Sequence, residues 1–289
     1  MHWVVLTLAG AWLDALYYAA IKRFVTAGEI PLLSAGSLLW AAVLLGGFSL
    51  LRGLPDPGPL LLPAAAISGV INAAAALLYY HALSRTDLSL AQPMLCYTPL
   101  FLVVTSYLIL GEFPSLAGLV GIGLVVSGSY ILASPGRRDA GEMEGGGRRS
   151  GVILMLIVAV LFSIAANMDK LVVLNSDTSS GTTLILLIAG AVILTAWGIR
   201  PPGRSGEPTI RVPPVLPLVI IGSALALAVV LINTALQLAI VPYVISLKRT
   251  SILFAILIGG GLFHEPHMGR RLLAGGLMVA GVSVLYLVG

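Results

Sequence analysis

Long apolar stretches separated by short polar breaks make up most of the chain. A helix of about 20 residues spans the roughly 30 Å of hydrocarbon in a bilayer, and these stretches have that length. The apolar residues do not alternate with polar ones, as they would in the strands of a membrane barrel. The pattern therefore predicts an all-α integral membrane protein with ten transmembrane helices.

Proline and glycine mark most breaks between the predicted helices. The first stretch lacks a basic region and a small-residue cleavage site, so we interpret it as a span rather than a removed signal peptide. The ten predicted spans are Trp3–Ile21, Ile30–Leu51, Leu60–Leu83, Leu88–Leu110, Ser115–Ala133, Val152–Leu174, Thr182–Ile199, Val215–Ile240, Tyr243–Phe263 and Leu272–Val288.

A polar linker at residues 135–150 separates five predicted spans from five. Residues 1–134 and 151–289 therefore form two candidate five-helix units. Shifting the second unit back by 153 positions places Glu265 on Glu112 without a gap over the second half of each unit. An odd number of spans per unit inserts the two copies in opposite directions. This predicts inverted repeats, an architecture in which many secondary transporters hold substrate near the midplane.

Composition supports a membrane protein and disfavours a nucleic-acid partner. Hydrophobic residues make up 58% of the chain, charged residues 10%, and the mean hydropathy is +1.03, which leaves too little polar surface for a water-facing shell. The net charge of +4 forms no basic patch interleaved with aromatics. The single cysteine, Cys96, lies in an apolar stretch, where we expect it to be buried as a small hydrophobic residue.

Several short motifs follow one another in a fixed order in the two units. They are residues 79–83 (Tyr-Tyr-His-Ala-Leu), 91–93 (Ala-Gln-Pro), 98–101 (Thr-Pro-Leu-Phe), 110–112 (Leu-Gly-Glu), 247–254 (Leu-Lys-Arg-Thr-Ser-Ile-Leu-Phe) and the helix-end residues Lys22 and Lys170. Together these motifs resemble the EamA-type ten-helix branch of the drug/metabolite transporter superfamily. One departure is His264, which replaces a glycine before the second glutamate.

This resemblance implies an alternating-access carrier for small metabolites, drugs or amino acids, without naming a substrate. Some branches of the superfamily use a basic pair on the ninth helix in the central cavity. Lys248 and Arg249 stand at a similar place in this chain. A lysine acts there as a point charge, and an arginine as a two-pronged donor to a carboxylate or phosphate.

Charged residues inside apolar spans are costly, about 2.5–3.5 kcal/mol at a helix centre, and therefore need a partner or a wet cavity. Asp14, Tyr18 and Lys22 share one face of the first helix, which predicts either a substrate- or proton-binding stripe or a structural pair. Asn167 and Lys170 form a similar stripe on the sixth helix, with Asp169 turned away. Lys22 and Lys170 could instead extend to the lipid headgroups, and so could Lys248 and Arg249.

Neutral amides on the candidate cavity helices either line the cavity or link neighbouring helices. Pro93 and Pro99 should kink the fourth helix close to Gln92. We predict close helix packing at Gly123 and Gly276, and a turn or capping role for Glu112. The candidate substrate-binding residues are Asp14, Tyr18, Lys22, Asn72, Tyr79, Gln92, Asn167, Lys170, Asn233, Gln237, Lys248 and Arg249.

These features predict a carrier for a small, anionic or amino-acid-like metabolite in the cytoplasmic membrane. Flipping of an anionic lipid-linked group is the main alternative. A lipid-modifying enzyme is less favoured because no span holds the clustered carboxylates that such chemistry uses. We expect no cofactor and no metal, since Pro266 interrupts the run from His264 to His267 and its spacing is too short for a zinc motif. The coupling ion, a proton or another, and the oligomeric state stay open.

The distribution of basic residues predicts the orientation. All lysines and arginines except Arg52, Lys170, Lys248 and Arg249 lie in or beside the loops that follow odd-numbered spans. The positive-inside rule places these loops in the cytoplasm and both termini outside. The family resemblance favours the opposite, because many ten-helix relatives are drawn with both termini inside.

Overall fold

The computed structural model describes residues 2–24, 30–83, 94–133, 146–198, 215–260 and 268–288. Within these ranges we number eleven helices, and there is no strand. The helices are α1 (His2–Phe24), α2 (Ile30–Arg52), α3 (Leu61–Leu83), α4 (Thr98–Leu110), α5 (Leu116–Ala133), α6 (Gly146–Leu174), α7 (Thr178–Gly198), α8 (Val215–Leu238), α9 (Val241–Lys248), α10 (Ser251–Gly260) and α11 (Met268–Val288).

The helix bounds agree with the predicted spans except in three places. The predicted ninth span is two helices, α9 and α10, separated by a turn at Arg249 and Thr250. In the fourth span, α4 begins only after a turn at Cys96 and Tyr97, with Pro99 in its first turn, where a proline is tolerated. The end of the predicted linker is helical, because α6 begins at Gly146.

The helices pack in pairs that recur between the two halves of the chain. Helix α1 packs against α8, and α6 packs against α3. The contact of α2 with α8 corresponds to the contact of α7 with α3 in the other half. In the same way, the contact of α1 with α10 corresponds to that of α6 with α4. Two further extensive contacts, α2 with α7 and α5 with α11, join helices of the same order in each half.

The seam between α5 and α11 depends on glycines, but not on those we predicted. The prediction of close packing at Gly123 and Gly276 is wrong, because a methyl group at either position would meet nothing within 4 Å. At Gly281 a methyl group would lie 2.7 Å from the carbonyl oxygen of Gly121, and at Gly128 it would lie 2.6 Å from that of Ala274. The two predicted glycines therefore lie on a face that does not touch the neighbouring helix, and other glycines of the same helices make the contact.

The outer surface is suited to lipid. Six of the described helices are long and apolar enough to cross a membrane. Large apolar side chains are exposed around the bundle, among them Leu51, Leu62, Leu108, Leu116 and Leu287. Soluble proteins rarely expose so many large apolar residues. The chain is a multi-pass α-helical membrane protein.

Candidate functional site

The break in the ninth span places two cationic side chains inside the bundle. Helix α9 ends at Lys248, and the next turn is closed by a hydrogen bond of 3.0 Å from Thr250 N to Leu247 O. The fourth span breaks in the same way, with Tyr97 N donating to Met94 O at 3.2 Å. The two breaks are related by the same shift of 153 positions, which places Arg249 on Cys96. Broken helices are found at the centre of many transporters.

Lys248 lies beside a carboxylate of α1. Its Nζ is 3.9 Å from Asp14 Oδ2, at the outer limit of an ion pair. The Lys248 side chain is 35% exposed, whereas that of Asp14 is 11% exposed. The long distance and the exposure of Lys248 make this a loose ion pair, so the lysine can bind a second partner.

Asp169 on α6 lies near Lys248 but faces α3, away from the stripe of Asn167 and Lys170, as predicted. The hydroxyl of Ser68 on α3 donates to Asp169 Oδ1, and the amide of Asn72 donates to Ser68 Oγ at 3.0 Å. Lys248 also acts electrostatically on Asp169. Because α6 packs on α3, α4 and α8, more than one of its faces is interior, including the face that carries Asp169.

Arg249 completes this arrangement. Its Nε is buried and has no hydrogen-bond partner in the part of the chain that the structure describes. Its charge acts on the thiol of Cys96, which is fully buried as expected. We call Asp14, Asp169, Lys248 and Arg249 the central charged group. Their formal charges cancel.

A second ion pair lies where α4 and α6 end. Lys170 Nζ is 2.5 Å from Glu112 Oε1 and donates to Ala239 O at 2.7 Å. Glu112 Oε2 accepts a bond of 2.9 Å from Val241 N. The expected capping role of Glu112 is therefore confirmed, but on α9 rather than on the next helix in the chain. We call Glu112, Lys170 and these two backbone groups the end network.

Three of the candidate amides link helices. Asn167 on α6 donates to Thr105 Oγ1 at 3.1 Å and accepts from Ser106 Oγ at 2.7 Å. Asn233 on α8 donates to Thr182 Oγ1 at 2.9 Å. Gln237 donates to the carbonyl of Val173 on α6 at 2.6 Å. These bonds satisfy the linking role that such amides have in membrane helices.

The other candidates are less fully described. Tyr79 on α3 is partly buried and packs beside Ala82 and Met155. Tyr18 and Lys22 lie on α1, but their side chains are outside the described structure, and so is the whole of Gln92. Glu265 also lies outside the described ranges, and within those ranges no cluster of three or more His, Cys, Asp or Glu side chains could hold a metal ion.

The fold and its charged interior define a membrane protein with a polar site between helices. Residues 1–134 match the model of the EamA-like transporter family. This match and the apolar helices support a membrane transporter, and the matched residues support an EamA-type member of the drug/metabolite transporter superfamily.

The other comparisons bear on the fold alone. No curated protein matches the chain in sequence. A solved crystal structure is similar with a TM-score of 0.77, covering 99% of this chain and 95% of its own, at 18% identity. At that identity the similarity shows the fold and not the activity.

Proposed function

We propose that the protein is an alternating-access carrier that moves a small anionic metabolite across the cytoplasmic membrane. The observation that carries this proposal is the central charged group at the break in the ninth span. Arg249 has a buried donor without a partner, and burying such a donor costs about 1–3 kcal/mol or more for a charged group. A carboxylate or phosphate would satisfy it with a charge-assisted hydrogen bond.

The carrier is built from ten spans in two inverted repeats, residues 1–134 and 151–289, joined by the linker at 135–150. The recurring helix pairs support this architecture, because the contacts of α1 and α2 with α8 and of α1 with α10 have counterparts in the other half. The paired breaks at Cys96 and Arg249 support it as well. In such folds one repeat rocks against the other around a central site.

The end network closes one end of this carrier. It joins α4, α6 and the turn between α8 and α9, and the Lys170 and Glu112 side chains are 9% and 16% exposed. This end lies opposite the loops rich in lysine and arginine, which the positive-inside rule places in the cytoplasm. The closed end therefore faces away from the cytoplasm.

An amino-acid-like substrate is the second candidate class. Asp14 and Asp169 lie near Lys248, which precedes Arg249 in the chain, so a zwitterion could place its ammonium on a carboxylate while its carboxylate bonds Arg249. Proteoliposome uptake of labelled zwitterions and anions, side by side, separates the two classes.

The test of the carrier is uptake by purified protein in proteoliposomes, using labelled lactate, glycerol 3-phosphate and alanine. Arg249→Ala should weaken uptake of the anion by about tenfold to a hundredfold, because a hydrogen bond to a charged group contributes about 1.5–3 kcal/mol. Arg52→Ala, which removes an exposed arginine stacked over Phe48, is the matched control and should leave uptake unchanged. Equal uptake by both variants would remove Arg249 from the substrate site.

A further inference from the structure

We propose that the central charged group makes the carrier a proton–anion symporter. An anion bound to Lys248 and Arg249 draws Lys248 away from Asp14, and Asp14 then takes up one proton. The inference rests on the proposed function, since it requires an anion to bind at this group. It adds the coupling ion, the residue that carries it and the stoichiometry.

The first argument is that Asp14 depends on Lys248. In the described structure Lys248 is its one polar partner, at 3.9 Å. Helices α8 and α10 pack on α1 but contain no ionisable side chain. From α9 come Lys248 and also Tyr243, whose hydroxyl contacts Ser115 instead. The other titratable groups of α1 are His2, Tyr17, Tyr18, Lys22 and Arg23.

Asp169 is held differently from Asp14. The hydroxyl of Ser68 donates to it, and this bond does not involve Lys248. When Lys248 turns to a bound anion, Asp169 keeps its hydrogen bond, whereas Asp14 keeps no described partner. Lys248 acts on Asp169 through its charge alone, whereas it is the described polar contact of Asp14, so we assign the proton to Asp14.

The second argument is charge balance. Two cations and two carboxylates make the empty group neutral, so a bound monoanion would leave one net negative charge inside the membrane. An uncompensated charge is expensive there. One proton on Asp14 restores neutrality: the proton comes from water, binds a carboxylate oxygen and leaves with the anion on the other side.

The experiment measures proton uptake by the purified full chain in weakly buffered detergent solution containing a pH indicator. The probes are lactate, benzoate and monobasic phosphate, with binding followed by calorimetry. We expect about one proton per bound anion and an affinity that falls as the pH rises. Asp14→Asn should bind the anion without proton uptake. Asp177→Asn, which changes a carboxylate outside the central group, should keep the uptake.

Infrared difference spectra then assign the proton to one residue. An anion-induced carboxylic acid band should shift in frequency in Asp14→Glu and stay in place in Asp169→Glu. A shift in Asp169→Glu alone would overturn the assignment to Asp14. Anion binding without proton uptake would overturn the symport and leave the carrier intact. If none of the probes binds, the anion site itself is refuted, and the symport with it.

Discussion

Two lysines face carboxylates in the part of the protein that the structure describes, and their surroundings differ. Lys170 lies 2.5 Å from Glu112, is 9% exposed and also bonds a backbone carbonyl. Lys248 lies 3.9 Å from Asp14 and is 35% exposed. The first pair has its hydrogen bonds satisfied by the protein, whereas the second lies beside an arginine with an unsatisfied donor.

This difference distinguishes an ion pair with a structural role from an ion pair whose lysine is available to bind a ligand. A buried pair holds its partners in place only when geometry and extra hydrogen bonds compensate for the lost water. The end network meets that condition, since both side chains bond the turn before α9. The central charged group does not, so its cations retain capacity for a ligand. We expect stability to depend on the first pair and transport on the second.

The largest expected effect is on the stability of the end network. Glu112→Gln leaves Lys170 charged without its counterion and should lower the free energy of unfolding by about 3–5 kcal/mol. Asp14→Asn should change it by about 1 kcal/mol or less, because the pair with Lys248 is long and partly exposed. Thermal unfolding in detergent measures both.

The double variant Glu112→Gln/Lys170→Met is the control for that comparison. It removes the unpaired charge and should recover part of the lost stability, giving a non-additive cycle. Equal losses for Glu112→Gln and Asp14→Asn would contradict the distinction between the two pairs.

A smaller effect is expected from Gly118 on α5, beside the end network. A methyl group there would overlap the hydroxyl of Tyr243, which accepts a bond of 3.1 Å from Ser115 N. Gly118→Ala should destabilise the fold by about 1–3 kcal/mol through overpacking. Gly123→Ala, on the same helix but with nothing within 4 Å, is the matched control and should not destabilise. Similar melting temperatures for both variants would show that α9 moves freely at this end.

The smallest effect concerns Asp177, which caps α7. Its carboxylate accepts a hydrogen bond of 3.0 Å from Ser179 N. Burial raises the pKa of this carboxyl, but hydrogen bonds from Ser179 and Ser180 outweigh it and hold the pKa below the ordinary 3.8. Asp177→Ala should destabilise by about 1 kcal/mol near neutral pH.

The pH dependence of that loss follows from the lowered pKa. The ionised carboxylate stabilises the fold above pH 3.8, and this contribution disappears as the pH falls through the folded value. The difference between wild type and Asp177→Ala should therefore shrink below that pH. A difference independent of pH, measured by chemical denaturation, would exclude the charged cap.

Periodicity and hydropathy alone predicted most helices within a few residues, because crossing a bilayer demands long apolar runs. The break at Cys96 and Tyr97 was foreshadowed by Pro99. The break at Arg249 and Thr250 was not, since no proline or glycine lies there and the polar run was taken as part of one helix. The position of this break could be predicted only from the sequence repeat, which aligns it with the break in the fourth span.

The sequence did not predict which side chains pair between helices. Asp169 was set aside on the basis of one helix face, yet its partner Ser68 lies 101 positions away. Lys170 was expected to line the cavity or extend to the headgroups, and its pairing with Glu112 depends on how α4 and α6 pack. The repeat did contain a usable signal, because it singled out both residues as matched positions in the two halves.

Cys96 has a practical consequence, because the shift of 153 positions places this thiol where the second half of the chain carries the guanidinium of Arg249. The chain has one cysteine, fully buried beside Arg249. A maleimide dye can therefore mark a single, native position without mutagenesis. Its labelling rate would report in real time how often the interior opens to solution.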